Sequence, residues 1–367
     1  MTEKRKNLLL ICLSGAFIII FSLASILMPD KELSVSERRP LASFPQVDLE
    51  SIQSGTFMND FEEYTLDQFP LRDQFRTLKA MVHFYGLGQK DNHGIYAVDG
   101  FLSKIEYPMH PTSLDYAAQR FRFVYEKYMK DKEMNVYLSV IPDKNYFMAA
   151  ANGYLSMDYE AFFHQIQEKT TFARYIDIAP LLTLSDYYHT DSHWRQEKIV
   201  DVAGFLSQQM GVSIDDTQYQ THKWDGAFYG VYHGQLALPL PPEDLYYLTN
   251  EVIDQYRVYD FETQSMIPVY DLDKANGPDP YELFLAGSKS LLSIENPSAS
   301  TNQELILFRD SFGSSIAPLL AQGYAKVTVV DIRYISPEYL NNFVTFQDQD
   351  VLFLYSSSVL NNSITLK

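Results

Sequence analysis

Leu305-Ile306-Leu307-Phe308-Arg309-Asp310-Ser311-Phe312-Gly313-Ser314-Ser315 begins as an apolar run, breaks into a polar turn and reopens as a second apolar stretch. Residues 305–308 read as a strand and 313–322 as a helix. A strand, a sharp turn bearing Ser and then a helix is how an α/β fold exposes a nucleophilic hydroxyl at the carboxyl edge of its sheet. The first N–H groups of such a helix lie close enough to hold an oxyanion. Ser311 is therefore either a nucleophile or the N-cap of the helix, a position that Ser favours.

Outward from this stretch, α and β segments alternate. Strands are expected at 135–141, ended by Pro142, and at 175–178, 325–330 and 351–355; helices are expected at 114–129, 159–168 and 195–210. Buried strands separated by helices imply a parallel sheet covered on both faces. Ile95-Tyr96-Ala97-Val98, then Asp99-Gly100, then Phe101-Leu102 reads as a β-hairpin. The less regular, Pro- and Gly-bearing stretch 212–300 reads as a β-rich insertion. Upstream, helices are expected at 57–65 and 72–85, separated at Pro70.

Leu8 to Met28 carries no charge and follows Lys4, Arg5 and Lys6. As a helix it spans roughly 30 Å, the thickness of a bilayer's hydrocarbon core. The preceding basic cluster places the N-terminus in the cytoplasm and the rest outside. The alternative is a cleaved signal peptide, with Ser22-Leu23-Ala24 as its small-residue site. The expected organisation is a cytoplasmic tip and anchor at 1–29, a linker and helical segment at 30–94, and an α/β domain at 95–367.

The 367 residues are 46% hydrophobic and 21% charged, the balance of a folded protein. A net charge of −18 argues against nucleic acid or an anionic membrane surface as partner. A single cysteine, Cys12, excludes an intrachain disulfide framework and Cys-rich zinc sites.

A second constellation is Tyr187-Tyr188-His189-Thr190-Asp191-Ser192-His193-Trp194. A nucleophilic Ser needs an imidazole to take its proton and a carboxylate to hold the imidazole's tautomer. Asp191 and His193, two residues apart in an extended turn, can present both. Alternatively, Asp191 caps the following helix. A third reading notes that His189, Asp191 and His193 alternate, so on a strand they share a face that suits zinc, with Asp186 as the nearest further ligand.

Thr190-Asp191-Ser192-His193-Trp194 resembles the Asp-x-His-Trp signature of the DHHW family, which is similar to the SGNH-hydrolase-like domains of alginate O-acetylation proteins. Ser36-Glu37-Arg38-Arg39-Pro40-Leu41, Asp67-Gln68-Phe69-Pro70 with Arg72-Asp73, Ile141-Pro142-Asp143-Lys144, Asp310-Ser311, Asp331 with Arg333-Tyr334, and Leu352 with Leu354-Tyr355-Ser356 follow in the family's order. The resemblance covers most of the chain. It implies an SGNH-hydrolase-like α/β domain with a circularly permuted motif order, because the Asp-His pair precedes the Ser. Carried over, Ser311 is the nucleophile, His193 the base and Asp191 the orienting carboxylate, with no metal or cofactor required. Arg309 stands where SGNH hydrolases have Gly and is expected to narrow the approach to Ser311.

The glycine and asparagine oxyanion blocks usual in SGNH hydrolases are absent. By strand order, Arg333 and Ser356 occupy their places as candidate donors, beside the backbone N–H groups of Ser311 and Phe312. Lys144 either lines the site or forms a structural ion pair. Trp194 either packs the His ring or stacks on a sugar. The resemblance implies a single-pass membrane enzyme with an extracellular domain that transfers or hydrolyses O-acetyl groups on an exopolysaccharide or wall glycopolymer. It implies a membrane-bound O-acyltransferase as acyl source. The other class kept open is a non-catalytic carbohydrate-binding or scaffold protein of a polymer-modification complex.

Overall fold

The computed structural model describes residues 2–214 and 218–367; positions 215–217 of the expected insertion lie outside the described residues. The chain forms two compact units, Met1–His93 with His233–Pro239, and Gly94–Tyr232 with Leu240–Lys367.

The first unit begins with α1 (Glu3–Leu27), which buries none of its residues. Among the described residues it is the one helix long and apolar enough to cross a membrane. Two further helices, α2 (Thr56–Asp67) and α3 (Arg72–Met81), flank Pro70, and α3 runs on into a π turn, Val82–Gly86. The polar linker is tied to them by charge. Arg39 forks onto Asp67 at 2.8 and 2.6 Å, and Glu37 takes Arg72 at 2.6 Å and Arg76 at 3.1 Å.

The second unit opens with the expected hairpin, Ile95–Val98 against Phe101–Lys104, with Val98 opposite Phe101. Asp99 at φ 49° and Gly100 at φ 84° are both left-handed, as a two-residue type I′ turn requires. Next come α4 (Pro111–Tyr128), β1 (Val136–Ile141), α5 (Tyr159–Lys169), β2 (Arg174–Tyr175) and α6 (Val200–Gln209). Then follow β3 (Arg257–Asp260), β4 (Ser265–Ile267), β5 (Leu291–Glu295), β6 (Glu304–Arg309), α7 (Gly313–Leu320), β7 (Lys326–Val330) and β8 (Asp350–Ser356). The strands form one sheet in the order β4-β3-β5-β7-β6-β8-β1-β2.

Five adjacent strands, from β7 to β2, are parallel, whereas β5, β3 and β4 add an antiparallel flank. The stretch 212–300 thus contributes three strands to the central sheet. Its other ladder, Gln220–Lys223 with Tyr246–Thr249, is a separate two-stranded sheet. Antiparallel neighbours need only a short turn, as between β3 and β4, where parallel ones need a covering crossover.

Strand alternation sends Leu305 and Leu307 of β6 to one face and Ile306 and Phe308 to the other. The first face packs under α6 and α7, the second under α4 and α5. In place of the helix expected at 195–210 there is a short 3-10 turn, Gln196–Lys198, followed by α6. The cause is Gln196, whose buried side chain donates to the Ser315 carbonyl at 2.7 Å and accepts from Leu248 N–H at 2.8 Å, which pins the chain before the helix can start.

Candidate active site

Strand β6 lies between β7 and β8, which follow it in the chain but flank it on opposite sides. Connections that diverge from one strand open a crevice at its carboxyl end, and Ser311 sits there. Asp310 makes the turn. Its Oδ1 accepts from Phe312 N–H at 3.0 Å, and its Oδ2 accepts from Ser356 N–H and Oγ at 2.8 and 2.7 Å. This Asx turn bends the chain without forcing Ser311 into positive φ. The residue before α7 is Phe312, and no side chain caps that helix. The Ser311 hydroxyl is engaged elsewhere: it lies 2.7 Å from His193 Nε2.

His193 and Asp191 come from a tight loop closed by a bridge between Tyr187 and Trp194 and by Tyr188 N–H donating to the His193 carbonyl at 3.1 Å. His193 Nδ1 lies 2.6 Å from Asp191 Oδ1, and the other carboxylate oxygen accepts from Val231 N–H at 2.8 Å. Asp191 is fully buried and His193 nearly so. The imidazole stacks on Tyr281, with centroids 3.9 Å apart and planes within 7°, and the Tyr281 hydroxyl donates to Ser315 Oγ at 2.9 Å. Ser311, His193 and Asp191 therefore form one unbroken hydrogen-bonded line. Asp191 does not cap a helix, since α6 starts at Val200 with Ile199 before it.

Four residues that sequence reasoning did not single out hold this line. Gly230 N–H donates to Thr190 Oγ1 at 2.9 Å, and a Cβ at Gly230 would meet Asp191 N at 2.2 Å. Only glycine lets that strand of backbone come so near. Glu243 reaches the loop from its other side, accepting from His189 N–H, Thr190 N–H and Thr190 Oγ1 at 2.7, 2.7 and 2.6 Å. Tyr281 walls the imidazole. Gly313 leaves room for Arg309, whose Cβ a side chain there would meet at 2.4 Å. No spacing rule points to Glu243 or Tyr281; Gly230 is part of a Gly-bearing loop motif and carried that much signal.

The candidate oxyanion donors divide. Arg333 is not brought to Ser311, because its Nε and Nη2 are bidentate on Asp331 at 2.9 and 2.7 Å. Ser356 is spent on Asp310 and on Val359 N–H at 3.3 Å, capping the helix Ser357–Asn361. Phe312 N–H is taken by Asp310. That leaves the Ser311 N–H, to which no acceptor is bonded among the described residues. Arg309 does not hang over the approach to Ser311. It is fully buried, with Nη1 3.3 Å from Asp331 and from the Asp310 carbonyl. Burial pulls its pKa down, and Asp331 opposes the shift.

Lys144 lies beneath the loop rather than in the crevice, donating to the carbonyls of Tyr188 and His189 at 2.9 and 3.0 Å. Burial lowers its pKa to about 7, against the pull of Glu243 and Asp191. Trp194 packs edge-on against Phe312, and its Nε1 donates to Ser315 Oγ at 2.9 Å and to the Phe312 carbonyl at 3.1 Å. It is a buried packing residue with no face for a sugar. The zinc reading is not supported by the geometry: His189 turns to Glu243 and stacks on Phe101, Asp186 caps the turn at Thr183, and His193 faces Ser311.

No protein-family model and no curated protein matches the chain. Solved structures do. A DHHW family protein from Eubacterium siraeum aligns at a TM-score of 0.58 with 20% identity, over 74% of this chain and 93% of that one. PatB1 of Bacillus cereus, solved with a sulfonyl adduct, aligns at 0.56 with 17% identity, over 72% and 94%. The O-acetyltransferase domain of Pseudomonas putida AlgJ aligns at 0.43 with 14% identity, over 73% and 92%. The structural kinship expected from the sequence is thereby shown at the level of the fold: this chain has the α/β architecture of the DHHW family protein and of PatB1.

Proposed function

We propose that the protein is an extracytoplasmic acyl-transfer enzyme, held to the membrane by α1, that moves an acetyl group onto or off a hydroxyl of an exopolysaccharide or wall glycopolymer. The observation that carries this reading is the Ser311–His193–Asp191 line, with 2.7 and 2.6 Å contacts. Ser311 Oγ attacks the acyl carbonyl while its proton passes to His193 Nε2. Asp191 holds the ring so that Nε2 is the free acceptor and balances the imidazolium that forms. The Ser311 N–H faces the developing oxyanion. His193 then protonates the leaving group. In the second half, a sugar hydroxyl or water gives its proton to His193 and attacks the acyl-enzyme, and Ser311 takes its proton back. The acetyl group and the glycopolymer come from the family resemblance, as does a membrane-bound O-acyltransferase as donor. The adduct carried by PatB1 recommends a sulfonyl electrophile as probe.

The test uses the full chain in detergent. 4-Nitrophenyl acetate should give an acetylated protein at acid quench, and a sulfonyl fluoride should add once, both on the peptide containing Ser311. Ser311→Ala should abolish both adducts and cost roughly 10³-fold or more in ester turnover. Equal turnover with an unchanged melt would reject the nucleophile. The binding or scaffold reading is then favoured by one observation, the commitment of Phe312 N–H, Ser356 and Arg333 to Asp310 and Asp331, which leaves a thin oxyanion site.

A further inference from the structure

Helix α3 carries an apolar stripe that the described residues leave largely uncovered. Leu71 stands at the N-cap, and Phe75, Leu78 and Val82 follow at intervals of three and four residues, on one face of α3 and of the π turn that continues it. They are 56%, 36%, 55% and 48% exposed, and α3 buries only Ala80. The opposite face is charged: Arg72 and Arg76 both bond Glu37 of the linker. Singly exposed apolar residues are ordinary, but a continuous stripe on an amphipathic helix marks a surface that meets something.

What it meets follows from its neighbour. Phe75, a member of the stripe, packs on Phe21 of α1 at 5.6 Å between centroids, and Phe69 stacks on the same ring at 5.3 Å. Phe69 and Phe75 also meet each other edge-on at 5.6 Å. The stripe is therefore continuous with the apolar surface of α1. Phe21 stands six residues before the end of α1 at Leu27, which is about 9 Å along a helix axis. Interfacial helices bury their apolar faces about 5–10 Å into the boundary between headgroups and acyl chains. If α1 spans the bilayer, Phe75 reaches that depth.

We infer that α3 is an interfacial membrane helix whose apolar stripe is seated in the outer leaflet beside α1. This rests on the reading of α1 as a spanning anchor and goes beyond it, since an anchor alone leaves residues after Met28 in water. The partner is the acyl boundary and not anionic headgroups: the chain carries −18, so electrostatic attraction to acidic lipids does not drive the seating. The seating should persist at high salt, unlike adsorption through basic patches.

The test is depth-dependent quenching in the full chain reconstituted into phosphatidylcholine nanodiscs. An environment-sensitive thiol probe is placed at the native Cys12, and, in a Cys12→Ser background, at Leu78→Cys, Val82→Cys, Lys79→Cys or Glu63→Cys. Lipids carrying a nitroxide at the upper acyl chain serve as quencher. The expected result is strong quenching and a blue shift at positions 78 and 82, unchanged in 0.5 M salt, with little at 79 and 63, and quenching at Cys12 by a mid-chain nitroxide. Quenching at Cys12 with water-like probes at 78 and 82 overturns the interfacial helix and leaves the anchor standing. Probes at 78 and 82 that are shielded from water but not quenched by lipid overturn it in favour of a protein partner or a second copy. A Cys12 probe that no lipid quencher reaches rejects the anchor, and the inference with it.

Discussion

The charge network around Asp67 and the one behind Ser311 sit in different dielectric surroundings. Around Asp67, the carboxylate is covered but the arginines that pair with it reach water: Arg39 is 38% exposed and Arg72 18%, and Glu37, which shares both arginines, is 18% exposed. Behind Ser311, Arg309 and Asp331 are fully buried, and Asp191, Lys144 and Asp310 are nearly or wholly so. Charges in water attract weakly and lose side-chain entropy when paired. Charges out of water have already lost their hydration, so each must be matched by a partner or a hydrogen bond. The first network therefore positions a linker, and the second fixes the atoms of a site. A buried charge has one arrangement that satisfies it, which is why the site loops are so closely specified.

The largest effect that would break this contrast lies at Asp191. Asp191→Asn should fold but lose about 10³- to 10⁴-fold in ester turnover, because the amide no longer selects the tautomer that leaves His193 Nε2 free. Turnover within about threefold of the parent would mean that the buried network does not set the chemistry.

Next in size is the removal of one buried partner. Asp331→Asn leaves the Arg309 guanidinium without its counter-charge and should cost about 3–5 kcal/mol by denaturant unfolding. Asp67→Asn in the first unit is the matched control and should cost about 1 kcal/mol or less. Equal losses would erase the distinction between the two networks.

A pH scan sharpens it further. Lys144 loses its proton near pH 7 in the folded protein but near 10.4 once unfolded. Between those values the unfolded chain binds more protons, so this group makes stability rise with pH, and its contribution is level below 7 and above about 10.4. Lys144→Met should lose that rise, read as chemical stability at pH 6.5, 8 and 9.5. An unchanged slope would move the titrating group elsewhere.

The smallest effect concerns salt. Raising ionic strength from about 0.05 to 1 M should weaken the contribution of Asp67, measured as the difference between parent and Asp67→Asn, by a few tenths of a kcal/mol, while the Asp331 difference should barely move. Arg39, the largest cause, holds the Asp67 carboxyl below its usual range. Its share of stability is present above the unfolded value and is lost as pH falls through the lowered one. Salt dependence of the same size at both positions would place both networks in water.

Much of the fold was legible along the chain. The alternation of apolar runs with helical patterns set out β1, β6, β7, β8 and their covering helices, and Asp99-Gly100 marked a hairpin turn that is present as expected. The long helix from Arg195 was misread because propensity favoured it while Gln196 was needed elsewhere. The antiparallel flank was misjudged because 212–300 is rich in Pro and Gly, and strand direction is not a property of a strand's own residues.

At the site, local order determined what was available: a Ser after a strand, an Asp and a His two apart, and a Lys after a strand-ending Pro. Only the tertiary structure decided how they are used. Ser311 and His193 meet across 118 residues, Asp191 and Val231 across 40, and Thr190 and Glu243 across 53. Arg333, Ser356 and Phe312 N–H were plausible oxyanion donors by position, yet each is claimed by a buried carboxylate. The physical reason is that a polar group's role out of water is set by whichever partner satisfies it. Periodicity and motif report which groups a segment can offer; which of them meet depends on contacts between segments far apart in the chain.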